Sequence, residues 1–399
     1  MKTVLIVIQD MESGGAQKSL LSFLKNLEKK EYKEKYHIDL LVAKPAGAFM
    51  KQLPSYITLI ESPRALLWMS TPKGDTLLQG NASFIGIIGK LTWKIRNICG
   101  LFQKGLNEEQ KLWQNWKMLI PELSQKYDIA ISYMNGFPNY YLIDKVQAKK
   151  KVLWIHNEYQ KLNYERNFDH YYYNTSDQII TISDTCMNSF VETFPEFKRK
   201  ISVLENITDR SEILLKGNEK MITEFDDTQK MKILSVGRLC EQKGFDLAIS
   251  AAEILKEKGI SFLWIVVGEG PDRHTLQQLI DKKGLNEEFK LVGIRENPYV
   301  YINKCDVFVQ PSRYEGKSIV LDEAKVFCKP IVVTKYPTVY DNISDGETGL
   351  IVDMNPRGIA EGVTNLVKDS SIGKRLRKNL YDNSLGNEGE IDRYIDVMF

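Results

Sequence analysis

Long apolar runs, paired cysteines and an excess of one charge are all missing from this chain, and each absence removes a class of protein. No stretch approaches the roughly 18 apolar residues that a membrane span requires. The opening "MKTVLIVIQD" is apolar only from Val4 to Ile8 before Gln9, Asp10 and Glu12 follow, too short for the hydrophobic part of a signal peptide. The 5 cysteines (Cys99, Cys186, Cys240, Cys305 and Cys328) are scattered and odd in number, with no C-x-x-C pair. That excludes a disulfide framework and a zinc knuckle, and suits a reducing compartment. With 54 Lys+Arg against 52 Asp+Glu the net charge is +2, which lacks the basic footprint of a nucleic-acid partner. The expectation is a cytoplasmic protein that at most touches the inner face of a membrane.

What the chain does contain is a repeated grammar. At 399 residues it is too long for one ordinary core, and two domains of similar size are expected. "TVLIVI" reads as a buried strand and "QDMESGGAQ" as a turn, after which Leu20, Leu21, Phe23, Leu24 and Leu27 recur at helical spacing. "YHIDLLVA", "YDIAISY", "KVLWIHN" and "DQIITIS" read as later strands. The pattern restarts at Met231 with "MKILSVG", a loop "RLCEQKG", and a helix from Phe245 to Lys258 that Gly259 ends. "SFLWIVVG", "FKLVG", "CDVFVQP" and "KPIVVT" follow. Uninterrupted apolar strands between helices predict parallel sheets covered on both faces. The fold class is therefore α/β, with two doubly wound, Rossmann-like domains at 1–206 and 207–378 and a helical tail at 379–399 packing back on the first. Ligands of such sheets sit at the carboxyl ends of the strands, and the cleft between two such domains is the expected site.

The candidate residues all follow predicted strands. "PSRYEGKSIVLDEA" places Glu315 in a Gly-bearing turn and Glu323 on a helix. On a single helix the two would stand about 12 Å apart along the axis. Hydrolytic carboxylate pairs need about 5 to 9.5 Å, so the spacing suits an elongated ligand gripped at two places. Backbone N–H groups at Gly316, Lys317 and Ser318, with Ile319 opening the helix, would receive a diphosphate. The alternative is a solvated turn glutamate and an exposed helical one. "SVGRLCEQKGFD" places Arg238 and Lys243 in a strand-to-helix loop. Each cation at about 4 Å from a phosphate is worth roughly 4 kcal/mol at an effective dielectric of 20. Alone, such a pair is usually just a solvated one. "ESGGAQKS" brings Gly14 and Gly15 to a helix start but is neither G-x-G-x-x-G nor a Walker A loop, and a plain tight turn explains it as well. "VLWIHNEY" puts His156 at a strand's carboxyl end, with no second ligand at metal spacing. "VVGEGPD" reads as a structural turn.

These residues in this order resemble the retaining glycosyltransferases of family 4, most clearly from Met231 to Asn365 and more weakly from residue 1 to Asn206. Pro311-Ser312, Glu315 and Glu323 carry the resemblance first, then "VGRL" with the later Lys243-Gly244. "TISD" (181–184), "VLEN" (203–206) and "DGETGLIV" (345–352) are weaker supports. The resemblance implies the GT-B architecture, an acceptor-binding first domain and a nucleotide-sugar-binding second one. It implies that Arg238 and Lys243, beside Gly237, hold the donor diphosphate, Glu315 the sugar hydroxyls and Glu323 the ribose. Ile294 and Arg295 would meet the base through their backbone, His156 the transferred sugar, and Gly15 the diphosphate or acceptor. No metal and no cofactor are implied, and the donor is expected to be UDP-linked. Lys317-Ser318 departs from the family's Phe-Gly, and Ile207 replaces the Gly that usually follows Asn206.

The acceptor is expected to be a glycan or lipid-linked glycan in bacterial surface polysaccharide synthesis. Residues 84–117 interleave Lys90, Lys94, Arg96, Lys104, Lys111 and Lys117 with Trp93, Phe102, Trp113 and Trp116. That is either an interfacial segment on anionic lipid or a helix hairpin with its aromatics in the core. Two other functions share the pattern: a sugar-nucleotide epimerase or hydrolase of the same architecture, and a non-catalytic binding subunit. A nicotinamide dehydrogenase would need the dinucleotide glycines, which are absent.

Overall fold

The computed structural model describes residues 1–12, 14–29, 32–71, 84–221, 223–226, 228–382 and 386–399. The chain forms two units: Met1–Asn206 with Gly389–Phe399, and Ile207–Glu388. Each is built on one parallel sheet, because each supplies short, wholly apolar strands that can only be buried with helices on both faces.

In the first unit the strands are β1 (Lys2–Ile8), β2 (Tyr36–Val42), β3 (Thr58–Ile60), β4 (Lys126–Ser132), β5 (Gln147–Ile155), β6 (Gln178–Thr181) and β7 (Ile201–Val203). They lie in the order β3-β2-β1-β4-β5-β6-β7. Val4 to Ile8 of β1 are completely buried, and Leu20, Leu21, Phe23, Leu24 and Leu27 are buried on one face of the Gly15–Lys29 helix. In the second unit β8 (Met231–Val236), β9 (Phe262–Val267), β10 (Phe289–Gly293), β11 (Val307–Gln310), β12 (Ile331–Thr334) and β13 (Leu350–Val352) lie in the order β10-β9-β8-β11-β12-β13. Both sheets wind outward in two directions from their first strand. The topological switch points therefore fall between β1 and β4 and between β8 and β11, where loops leave the strands' carboxyl ends in opposite directions.

The weaker motifs are structural devices. Ser183 of "TISD" caps the Asp184–Thr193 helix by accepting from the Cys186 N–H. Asp345 of "DGETGLIV" accepts from the Ile351 N–H at 2.8 Å and fixes the entry to β13. Ile207 is buried, and the only non-glycine residues with positive φ among those described are Asn163 and Cys328. The loop after Asn206 thus has a geometry that a branched side chain tolerates.

One expectation is corrected, and of the two readings of residues 84–117 the helix pair is the one observed. The tail does not leave the second unit at residue 379: the Ser370–Asp382 helix continues through it, with Leu376 and Leu380, four apart, both buried. The return to the first unit begins at Gly389. The 84–117 segment is a pair of helices, Phe84–Ile98 and Glu108–Trp116, the second started by a capping box between Asn107 and Gln110. Trp113 and Trp116 are core residues, and Trp93 packs half-buried on Phe102 with ring centroids 5.0 Å apart. The aromatics face inward because each indole buries far more apolar area there than a lysine stem could shield.

Candidate functional site

The loops on either side of the second unit's switch point, Gly237–Gly244 after β8 and Pro311–Ser318 after β11, hold most of the candidate residues. They are locked together. Gly244 has φ +64°, and a Cβ there would stand 2.0 Å from the Pro311 carbonyl oxygen, so only glycine lets the loops approach this closely. Arg313 donates to both carboxylate oxygens of Asp246 at 2.8 and 2.7 Å and to the Glu241 carbonyl at 2.7 Å. Gln242 donates to the Tyr314 carbonyl at 2.9 Å, and the Arg313 N–H to the Gln242 carbonyl at 2.7 Å. Burial would raise the Asp246 carboxyl, but Arg313 holds it below the usual range.

This latch brings Lys243 to Glu315. The Lys243 Nζ donates to Glu315 Oε1 at 2.6 Å, Ser312 Oγ donates to the same oxygen at 2.6 Å, and Gln310 Nε2 at 3.0 Å. Three donors on one oxygen orient the carboxylate, and no described residue bonds Oε2. The carboxylate is 8% exposed, and its main-chain carbonyl accepts from Thr338 at 2.8 Å. Gln310 is aligned in turn by Ser318, whose hydroxyl donates to Gln310 Oε1 at 2.8 Å. Gly237 lies against the Lys243 stem, where a Cβ would meet Cδ and Cε at 3.4 Å. Arg238 is exposed, with no ion-pair partner among the described residues.

Glu323 is 1% exposed on the Ile319–Val326 helix, and its Oε1 accepts from the Tyr299 hydroxyl at 3.2 Å. Burial followed by the Glu323 charge pushes the Tyr299 phenol well up, so it stays a donor. Because Glu315 precedes the helix, the single-helix spacing does not apply to the pair. Ile294, just beyond β10, is 50% exposed. The Arg295 guanidinium is engaged with Glu224 at 2.7 Å and with the Tyr301 hydroxyl at 2.9 Å.

One expectation fails here. The Ser318 N–H does not await a phosphate: it donates to Asn342 Oδ1 at 3.0 Å, since the first turn of the helix is capped by the neighbouring 3-10 turn. Asn342 also donates to Asp322 at 3.1 Å, so that contact belongs to the frame. Sequence reading missed Gln310, Tyr299, Asn342, Thr338 and the Asp246–Arg313 pair. Their types are ordinary, and only the folding of distant loops gives them a task.

In the first unit, His156 follows β5 and is buried, stacked on Trp154 at 11° and 5.8 Å between centroids. Its Nε2 lies 3.0 Å from the Tyr133 carbonyl oxygen, which can only accept, so Nε2 carries the proton and Nδ1 is an acceptor. Burial pushes its pKa down to about 4, against the smaller opposite effect of that bond. Gly15 opens the helix after β1, where Asp10 Oδ1 accepts from the Glu12 N–H and from Gln17 Nε2 at 2.8 Å. Among the described residues no three His, Cys, Asp or Glu side chains are grouped so as to hold a metal ion.

Two doubly wound parallel-sheet domains of this kind form the GT-B fold of glycosyltransferases. Residues 218–384, which contain both loops, match the family Glycosyl transferases group 1. The lipopolysaccharide core biosynthesis glycosyltransferase LpsE of Rhizobium meliloti is 27% identical over 242 residues, which are 60% of this chain and 66% of that protein. The N-acetylgalactosamine-N,N'-diacetylbacillosaminyl-diphospho-undecaprenol 4-alpha-N-acetylgalactosaminyltransferase of Campylobacter jejuni is 30% identical over 207 residues, 51% of this chain and 54% of its own length. The chain thus spans between about half and two thirds of these curated relatives. The crystal structure of HepE from Anabaena in complex with UDP and glucose shares the fold, with a TM-score of 0.70 and 16% identity over 99% of this chain and 98% of that one.

Proposed function

We propose that this protein is a retaining glycosyltransferase of family 4 that moves a hexosyl or N-acetylhexosaminyl group from a UDP-linked donor to a glycan or lipid-linked glycan acceptor. The setting is bacterial surface polysaccharide synthesis at the inner face of a membrane. The observation that carries the reading is the Glu315 carboxylate, with Lys243, Ser312 and Gln310 converging on Oε1. A carboxylate anchored so firmly at Oε1 presents its other oxygen, Oε2, at one place, as a group that accepts from sugar hydroxyls must. Lys243 and the exposed Arg238 are the cations that stabilise the diphosphate as it leaves and gains charge, without a metal. Glu323 receives the ribose hydroxyls, and the Ile294–Arg295 backbone the base. The Gly316 and Lys317 N–H groups remain assigned to the diphosphate. His156, as a neutral acceptor at Nδ1, and Gly15 are the first unit's contribution at its own strand ends. The acceptor attacks from the side on which the diphosphate departs, so no side-chain nucleophile is needed.

The relatives support this reading: one is a glycosyltransferase of lipopolysaccharide core biosynthesis, another acts on a diphospho-undecaprenol glycan, and HepE was crystallised with UDP and glucose. Thermal stability is to be measured against UDP-, GDP-, ADP- and CMP-sugars in the presence of EDTA. A rise with the UDP family, lost in Lys243→Ala, is the expected result. In the transfer assay Glu315→Gln and Lys243→Ala each lower kcat/KM by at least about a hundredfold, with an unchanged melting temperature of the free protein. Wild-type turnover by either variant refutes the assignment. Free sugar released with no acceptor present would instead mark a hydrolase.

A further inference from the structure

The helix Phe84–Ile98 has two faces of opposite character. On one, Gly86 and Gly89 sink it into the first unit: a Cβ at Gly86 would lie 2.6 Å from the Trp68 ring, and one at Gly89 2.3 Å from the Trp116 ring. Asn115 Nδ2 donates to the Gly89 carbonyl at 2.9 Å, and Arg96 Nη1 to the Gln114 carbonyl at 2.9 Å. The helix is therefore held at a fixed rotation about its axis. At 100° per residue, the residues opposite the glycines are Phe84, Ile87, Leu91, Ile95 and Ile98, within an arc of about 80°. They are 77%, 55%, 55%, 47% and 75% exposed, a continuous apolar stripe facing water. Its length is about 21 Å at the helical rise.

The charge around the stripe identifies what covers it. Between Phe84 and Leu106 the sequence contains Lys90, Lys94, Arg96 and Lys104 and no aspartate or glutamate. Lys90 and Lys94 are exposed along one flank of the stripe, the former with Nζ 4.7 Å from the Trp68 ring centroid. A second copy docking here would bring like charges together with no carboxylate from this segment to pair them. We propose that this face is the docking surface for an anionic lipid bilayer, the helix lying in the interface plane with its apolar stripe among the acyl chains and its lysines at the headgroups. No described helix is long and apolar enough to cross a membrane. The contacting residues are Phe84 and four aliphatic side chains; Trp116 lies against the helix at Gly89, and Trp93 packs on Phe102 away from the stripe. The inference stands on the first unit alone and does not depend on the donor assignment.

Flotation of the full chain with phosphatidylcholine vesicles, with and without phosphatidylglycerol, tests it. Wild type floats with phosphatidylglycerol vesicles at least about tenfold more strongly than with phosphatidylcholine alone. The triple variant Ile87→Gln, Leu91→Gln, Ile95→Gln keeps every cation and loses binding by at least about tenfold, with its donor-induced thermal shift unchanged. Lys94→Gln weakens binding about fivefold on the anionic vesicles only. Equal flotation of wild type and the triple variant overturns the proposal, as does no flotation at all. A wild-type dimer in sedimentation velocity that the triple variant dissociates, without vesicle binding, assigns the face to a second copy and also overturns it. Failure of the donor panel with flotation intact would reject the glycosyl-transfer reading and leave the docking surface standing.

Discussion

His156 shows how one residue's surroundings decide its chemistry. Burial against Trp154 and Tyr133 pushes its pKa down to about 4 from an ordinary 6.5, so the imidazole is neutral throughout the neutral range. A depressed folded pKa means that the stability it contributes is complete above pH 6.5 and is lost as pH falls towards 4, a change of about 3 kcal/mol. Asp169 works in the opposite sense. Burial raises its pKa to about 6 despite bonds from Tyr140, Tyr159 and Gln110, so its share is present at low pH and is lost as pH rises through 6. Urea unfolding of wild type and His156→Gln between pH 7 and pH 4 separates the two. The variant is expected to lose the His156 component, so its stability declines less on acidification. Parallel curves would mean that the imidazole is reached by protons in the folded state.

At the scale of elements, the proposed donor site is built from two strand-to-helix loops that the Lys243–Glu315 contact joins across 72 residues of sequence. Arg313 fastens them with a planar fork, which a lysine cannot reproduce. Arg313→Lys is expected to lower kcat/KM for the donor about tenfold through positioning, at a stability cost of about 1 kcal/mol. A reduced kcat/KM measured under conditions where the variant remains fully folded would separate positioning from structural support. If Arg313→Lys is indistinguishable from wild type in transfer, Lys243 and Glu315 are placed by their own backbones and the latch has no part in it.

For the molecule as a whole, the second unit is an excursion from the first, left at Asn206 and re-entered at Gly389. The returning Glu390–Met398 helix completes the first unit's core: Tyr394 is fully buried, 5.1 Å from the Phe23 ring and 5.5 Å from the Trp154 ring, and donates to the Glu205 carbonyl at 2.9 Å. Tyr394→Ala removes the ring and its hydrogen bond to the Glu205 carbonyl, at an expected cost of about 3 to 5 kcal/mol. Tryptophan fluorescence in a urea titration would register the loss. An unchanged midpoint would mean that the first unit closes its core without the tail.

The parallel α/β class, the longer strands and the ion pair's two partners were legible in the sequence, because runs such as "TVLIVI" and "FLWIVV" have only one way to be buried and because Glu315, Arg238 and Lys243 each follow such a run. Strands β3, β7 and β13 were not, since three residues are too few to show a period. Glu315's other partners, Gln310 and Ser312, stand within five residues of it, yet nothing in their type announces that their polar atoms meet on one oxygen. The amphipathic grammar is local and is written into the order of residues. Which N–H is already taken, as at Ser318, which aromatics turn inward, as at Trp113 and Trp116, and which apolar stripe is left in water are decided by packing between segments far apart in the chain, and only the tertiary structure holds that information.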